Sequence, residues 1–145
     1  DYAGVREELA AMRIDAPSHA AVAEAVMRLR LRKLPNPAEI GNAGSFFKNP
    51  IVAADQADAL LREHPRMPAW HMPDGRRKLS AAWLVETAGF KGFREGDAGV
   101  SDRHALVLVN HGAATGAQIR TLAEKITATV QTRFGVRLDP EPRIV

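Results

Sequence analysis

The chain has no cysteine, a single tyrosine and only two tryptophans among its 145 residues. Without cysteine it forms no disulfide and no thiolate metal site, so its fold must be stabilised by a hydrophobic core. No apolar run approaches the ~20 residues that a membrane-spanning helix needs, and the first residues lack the basic start and apolar centre of a signal peptide. These absences predict a cytoplasmic protein with no membrane partner.

The composition is that of an ordinary globular domain. Hydrophobic residues make up 46% of the chain and charged residues 26%. A domain of this length buries roughly 68–70% of the surface of its unfolded chain, which is enough for one core. Because the sequence begins at Asp1 without a methionine, we expect it to be part of a longer protein.

The net charge of +3 raises the question of a nucleic-acid partner. The only dense basic run is RLRLRK at residues 28–33, where the charges alternate with leucines and no aromatic residue stands beside them. Base stacking on aromatic rings is therefore not available there. We expect no nucleic-acid partner, and we interpret the run as a solvated helix end or a site for a smaller anion.

Helices are predicted at residues 18–34, 54–64, 80–89 and 115–133. Ser18 and Ser80 can cap two of them, while Pro35 and Gly135 follow the ends of two. Strands are predicted at residues 45–52 and in the apolar run HALVLVN at 104–110. Residues 64–75 and 91–101 are predicted as loops, and 136–145 as an edge strand or extended chain. With few hairpin signals, this predicts an α+β fold of helices packed on a small, mainly antiparallel sheet.

The segment GNAGSFFKNP, residues 41–50, places Ser45 between small residues and two phenylalanines. A hydrolase elbow would need glycine at positions 43 and 47, where Ala43 and Phe47 stand instead. The spacing therefore does not favour serine hydrolysis. The glycines either serve a turn or let backbone amides approach an anion, with Lys33 and Lys48 supplying charge. The spacing alone leaves both open.

Other polar residues give weaker signals. The histidines show no H-E-x-x-H pattern, so no metal site is predicted. His104 precedes a buried strand and either plays a structural role or faces a ligand. Glu141 lies between Pro140 and Pro142, which stiffen the backbone on both sides. An ordinary surface carboxylate remains an alternative for it.

Five blocks together resemble the carboxyl-terminal part of the UDP-N-acetylenolpyruvoylglucosamine reductase (MurB) family. They are KLP at 33–35, GNAGSFFKNP, LSAAWLVETAGFKG at 79–92, HALVLVN, and LDPEPRIV at 138–145. The resemblance implies a flavoprotein oxidoreductase of peptidoglycan precursor synthesis, a UDP-N-acetylmuramate dehydrogenase that acts in cell wall biogenesis, cell shape and cell division. Its cofactors would be FAD and NADPH, and its substrate UDP-N-acetylglucosamine enolpyruvate.

The resemblance also implies roles for individual residues. Ser45 would be the general acid that protonates the substrate, and Glu141 would stabilise the developing enol. Lys33 would meet the substrate diphosphate, Asn49 the uridine side, and His104 the same ligand. Trp70 stands where a closing loop in part of the family carries a tyrosine, so the phenol is replaced by an indole N–H donor. Gly44 would lie near the flavin.

The resemblance further implies how the chain is organised. Residues 1–14 would be the end of a preceding FAD-binding region and 15–145 the substrate-binding domain. Its partner would be its own upstream FAD-binding domains, which are not in this sequence, and we expect a monomer. The isolated piece would then be inactive. The alternative is a stand-alone UDP-sugar-binding module without catalysis.

Overall fold

The computed structural model describes residues 4–143 and contains short strands and helices in alternation. The helices are α1 (Val5–Ala11), α2 (His19–Lys33), α3 (Ala54–Glu63), α4 (Ala81–Thr87) and α5 (Gly116–Phe134). The strands are β1 (Gly41–Ser45), β2 (Ile51–Val52), β3 (Ala69–His71), β4 (Arg77–Leu79), β5 (Arg94–Glu95), β6 (Ala98–Val100) and β7 (Val107–Asn110). The predicted α+β class is confirmed.

The strands form two antiparallel sheets. The larger sheet has the order β1-β7-β6-β5, and the smaller one has the order β2-β4-β3. Helix α5 packs on β6 and β7 and against α4, while α3 contacts β4. The core lies between these helices and sheets, with Leu79, Leu84 and Ile126 fully buried. Burial of each such side chain contributes about 1.5–3 kcal/mol.

The helices begin where their capping residues predict. Ser18, Ser80 and Thr115 each accept a backbone N–H from the first turn of α2, α4 and α5. Such a cap is typically worth about 1 kcal/mol, because it pairs an N–H that the helix leaves free. Gly135 ends α5 with a φ of 66°, a left-handed conformation that glycine adopts without a steric cost. The four predicted helices are confirmed within one or two residues, apart from residues 88–89, which follow the end of α4.

Helices α1 and α2 form a pair beside the core. Their packing buries Leu9, Ala25 and Leu29, which do not belong to the main hydrophobic cluster. The buried Glu8 carboxylate pairs with the Arg32 guanidinium. That ion pair is the largest cause of a lowered pKa at Glu8. Helix α1 was not predicted, because its seven residues lie in a segment interpreted as the end of another region.

The strand predicted at residues 45–52 is wrong in its bounds. Strand β1 starts at Gly41 and ends at Ser45, and β2 contains only Ile51 and Val52. The prediction favoured the apolar residues, but the ladder with β7 forms at the glycine-rich side instead. Phe47 makes only an isolated bridge to Pro140.

Both predicted loops contain hairpins. Residues 64–75 include β3, which pairs with β4, and residues 91–101 include both β5 and β6, which pair with each other. Strands of two or three residues are too short for a periodic signal. Residues 136–145 were predicted as an edge strand or extended chain, and up to residue 143 they form no strand and make only the single bridge at Pro140; Ile144 and Val145 lie outside the described residues. No described helix is long and apolar enough to cross a membrane.

Candidate functional site

A bulge in β1 presents Ser45. Asn42 pairs with Val109 and Ser45 with Val107, so β1 has one residue more than its partner between these pairs. Gly44 takes a φ of 78° within this bulge. A side chain there would be strained by the backbone, although a Cβ built on Gly44 meets no atom within 4 Å. Bulges redirect side chains, and this one lies directly before Ser45 in the strand.

The carboxyl-terminal segment is held beside Ser45 by backbone hydrogen bonds. The Glu141 N–H donates to the Phe46 carbonyl at 2.7 Å, and the Lys48 N–H donates to the Asp139 carbonyl at 2.9 Å. On the other side, the Phe46 N–H donates to the Leu106 carbonyl at 2.7 Å. The backbone after Ser45 is therefore held by hydrogen bonds on both sides. Glu141 makes one of these hydrogen bonds itself, which places it next to the segment that carries Ser45.

A cavity of about 490 Å³ opens at this point. It is lined by Arg30, Lys33, Leu34, Ala43, Gly44, Ser45, His104, Glu141 and Pro142. Residues from α2, the β1 bulge, the loop before β7 and the carboxyl-terminal segment thus meet at one site. Five of the residues predicted for the site lie in its wall, namely Lys33, Gly44, Ser45, His104 and Glu141.

The cavity has a cationic side on α2. Arg30 and Lys33 are three residues apart and therefore share one helix face. Neither side chain makes a hydrogen bond or ion pair within residues 4–143, whereas the Arg28 side chain pairs with Glu24 and that of Arg32 with Glu8. Two unpaired cations at one rim attract an anion. The sequence indicated Arg30 only as part of the basic run at residues 28–33, and its three-residue spacing from Lys33 is the signal that could have singled it out.

The His104 ring is oriented by its own loop. Its Nδ1 accepts the Leu106 N–H at 3.2 Å, and so the neutral ring carries its proton on Nε2. The pKa of His104 is lowered, first by burial and then by the nearby ammonium groups of Lys33 and Lys91. A neutral Nε2–H group is a hydrogen-bond donor without a charge, so His104 can contact an anion from the cavity wall.

Two polar side chains in the cavity wall have no partner in the described part of the chain. The Ser45 hydroxyl and the Glu141 carboxylate make no side-chain hydrogen bond there. Ser45 is half-buried, whereas Glu141 is exposed. A hydroxyl can donate a proton and a carboxylate can accept a hydrogen bond from a neighbouring group. The site can therefore hold an anion and exchange a proton with it.

Asn49 and Trp70 do not line this cavity. The Asn49 side-chain oxygen accepts the Ala81 N–H at 2.9 Å, which holds the first turn of α4. Trp70 lies on β3 with 46% of its surface exposed, and the Lys78 ammonium lies 5.9 Å from the centre of its ring. Lys78 pairs across the small sheet with both Trp70 and Ile51. These residues form an exposed, partly aromatic surface on a different sheet.

Phe46 and Phe47 lie outside the cavity wall as well. Their ring centroids are 5.1 Å apart with an edge-on geometry, and Phe47 is buried. Phe47 belongs to the hydrophobic core and Phe46 packs against it. The two rings thus anchor the segment that carries Ser45. No group of three potential metal ligands occurs among residues 4–143.

The chain is thus an α+β domain with one cavity that combines a serine at a bulge, a histidine, a carboxylate and two cationic side chains that have no partner within residues 4–143. Residues 36–145 match the family model of the UDP-N-acetylenolpyruvoylglucosamine reductase carboxyl-terminal domain. The chain belongs to this family.

Curated relatives agree with this assignment. The UDP-N-acetylenolpyruvoylglucosamine reductase of Chromobacterium violaceum is 54% identical over 144 residues, which are 99% of this chain and 42% of the relative. The enzyme of the same name from Xylella fastidiosa strain 9a5c is 54% identical over 147 residues, again with 42% of the relative covered. The chain spans about two fifths of the length of these relatives.

One solved structure also matches. The UDP-N-acetylenolpyruvylglucosamine reductase (MurB) of Thermus caldophilus aligns with 84% of this chain and 33% of its own, at 26% identity and a TM-score of 0.48.

Proposed function

We propose that this chain is the substrate-binding and proton-donating domain of an NADPH- and FAD-dependent reductase. The reaction converts UDP-N-acetylglucosamine enolpyruvate to UDP-N-acetylmuramate in peptidoglycan precursor synthesis. The observation that carries this proposal is the meeting of Lys33, Ser45, His104 and Glu141 in one cavity. These four residues come from separate parts of the chain. The family to which the chain belongs is named after this reductase.

The cationic side of the cavity suits the substrate diphosphate. Lys33 and Arg30 are unpaired in the described residues, and His104 presents an uncharged donor beside them. Hydrogen bonds that involve a charged group are about twice as strong as neutral ones, and a guanidinium can bind phosphate through two N–H groups at once. The diphosphate would bind here and place the enolpyruvyl group toward the bulge.

Reduction of the enolpyruvyl alkene needs one hydride and one proton. Ser45 is the proton donor in this proposal, because its backbone is held in the ladder with β7 and its hydroxyl has no partner in the described part of the protein. Glu141 would stabilise the enol that develops next to the substrate carboxylate. Its backbone hydrogen bond to Phe46 keeps it beside the serine, and such rigid placement is what general acid catalysis requires.

The flavin would lie at the open side of the bulge. A Cβ on Gly44 would meet no atom within 4 Å, so the backbone at Gly44 faces open space from which a cofactor could approach. When bound, FAD that NADPH has reduced supplies the hydride. Ala43 and Gly44 would contact it, while most of its binding site would belong to sequences upstream of this chain.

The uridine end of the substrate would extend toward Asn49 and Trp70. The Asn49 oxygen is already engaged with α4, so its amide N–H groups are the part free to contact the base. The exposed Trp70 indole offers an aromatic face and one N–H donor. The contacts with Asn49 and Trp70 would both require the substrate to extend beyond the cavity, along the segment that joins β1 to β2.

By itself the chain is expected to bind the UDP-sugar but not to reduce it. A stand-alone binding module is the competing function, and the cationic Arg30 and Lys33 side chains at the cavity favour it. The two differ in what Ser45 does. In a reductase the serine is required for turnover, whereas in a module it is one contact among several.

The test uses protein that carries the complete reductase sequence. Ser45→Ala should keep the affinity for the enolpyruvyl sugar within a few fold and lower its reduction by at least 100-fold, since general acid catalysis contributes about 10²–10⁴. Ser18→Ala is the matched control, because Ser18 caps the far end of α2. Tight binding without reduction in the wild type would favour the binding module. Normal turnover of Ser45→Ala would remove Ser45 as the acid.

A further inference from the structure

The cavity depends on two parts of the fold that share little packing. Arg30 and Lys33 lie on α2, which packs mainly on α1 and is outside the main hydrophobic cluster. Ser45 lies on the large sheet. The distance between the cations and the serine therefore depends on the connection between the end of α2 and β1, which residues 34–40 form.

Asn42 joins these two parts through its side chain. Its Nδ2 donates to the Pro35 carbonyl at 3.2 Å and to the Ile40 carbonyl at 3.0 Å. Its Oδ1 accepts the Gly44 N–H at 3.1 Å. One half-buried carboxamide thus bonds to the residues just after α2 and to the bulge before Ser45.

We propose that Asn42 is a positioning residue, which holds the cationic end of α2 and the bulge of Ser45 in one fixed arrangement. The inference rests on the proposed function for the meaning of that arrangement. Asn42 does not line the cavity and touches no reacting group. Its contribution is geometric: the diphosphate site and the proton donor stay at the separation that one substrate spans.

The geometry separates this role from ordinary loop stabilisation. Asn42 has two donor bonds to the connection and one acceptor bond to the bulge, and asparagine is the only residue type that supplies all three from this short side chain. Misplacement of a reacting group by about 1 Å costs roughly 100-fold in rate. Loss of the link should therefore affect turnover far more than stability.

Three variants test the inference in protein that carries the complete reductase sequence. Asn42→Ala removes all three bonds. Asn42→Asp keeps the acceptor for Gly44 and removes both donors. Asn36→Ala is the matched control, because Asn36 lies in the same connection and its Oδ1 accepts the Ala38 N–H, but it has no bond to the bulge.

Two measurements are made on each variant: steady-state reduction of the enolpyruvyl sugar and amide hydrogen exchange. Asn42→Ala and Asn42→Asp should each lower kcat at least tenfold, while flavin reduction by NADPH stays within twofold of the wild type. Exchange at the Gly44 amide should rise at least tenfold in Asn42→Ala and much less in Asn42→Asp. Asn36→Ala should match the wild type in both measurements.

The outcomes separate this inference from the proposed function. Equal kcat for Asn42→Ala and Asn36→Ala would overturn the positioning role, as would a loss in Asn42→Ala that Asn42→Asp does not share. If the wild type does not reduce the sugar, the proposed function fails. Hydrogen exchange then decides alone: unchanged exchange at Leu34 and Gly44 in Asn42→Ala refutes the link between α2 and the bulge.

Discussion

Replacement of Lys33 by methionine removes one of the two cationic side chains at the cavity that have no partner within residues 4–143, and it keeps most of the length of the side chain. An ammonium about 4 Å from a phosphate charge gains roughly 1 kcal/mol in water and 4 kcal/mol at an effective dielectric constant of 20. Lys33 is an exposed residue, so the value lies in the lower part of this range. We expect a loss of about 1.5–2 kcal/mol, which raises Kd for the UDP-sugar roughly 10- to 30-fold.

Calorimetric titration with the enolpyruvyl UDP-sugar measures this change. Arg28→Met is the control, because it removes one charge from the same helix while its guanidinium is already paired with Glu24, 2.6 Å away, and does not line the cavity. It should change Kd less than threefold. Because salt screens exposed charges, the gap between the two variants should narrow from 0.05 M to about 1 M ionic strength, where the Debye length is about 3 Å.

Two results would refute the reasoning. If Lys33→Met binds as tightly as the wild type, the α2 cations do not contact the ligand. If Arg28→Met weakens binding as much as Lys33→Met, only the overall positive field of α2 matters and the cavity gives no specific contact.

Two further predictions concern the cavity wall. Gly44→Ala should lower the free energy of unfolding by about 1–2 kcal/mol in denaturant titration, because Gly44 has a positive φ. Gly116→Ala should not lower it, because Gly116 lies in the first turn of α5 with open space around it. Equal free energies of unfolding for the two variants would refute the strained backbone at the bulge. The pKa of His104 is lowered, so its neutral form is favoured in the folded state and stability should fall as the pH drops below about 6.5 toward the folded-state pKa. His104→Gln should remove this loss of stability at low pH when Tm is measured as a function of pH. The same dependence of Tm on pH in the variant and the wild type would contradict the role of His104.

The helices could be predicted from the sequence because their signals are local. Ser18, Ser80 and Thr115 cap helices within three residues, and apolar spacing repeats along each of them. The short strands gave no such signal, since β2 and β5 contain two residues each. Their pairing depends on contacts across the fold, which periodicity does not describe.

The cavity also has features that the sequence indicates and features that depend on contacts across the fold. The sequence motifs and their family resemblance pointed to Lys33, Ser45, His104 and Glu141, which the structure brings to one cavity. What they could not give was the backbone contact between Glu141 and Phe46, which are separated by most of the chain. Nor could they show that the Arg30 side chain has no partner within residues 4–143 while those of Arg28 and Arg32 do, because that depends on where Glu8 and Glu24 lie.

The central claim is that Ser45 donates the proton that completes reduction of the enolpyruvyl sugar. Stopped-flow absorbance on the complete reductase sequence tests it most directly, by following flavin reduction by NADPH and then reoxidation by the sugar. We predict that NADPH reduces the flavin of the Ser45→Ala variant at the wild-type rate. The sugar should reoxidise that flavin at least 100-fold more slowly than in the wild type. Reoxidation of Ser45→Ala at the wild-type rate would contradict the claim.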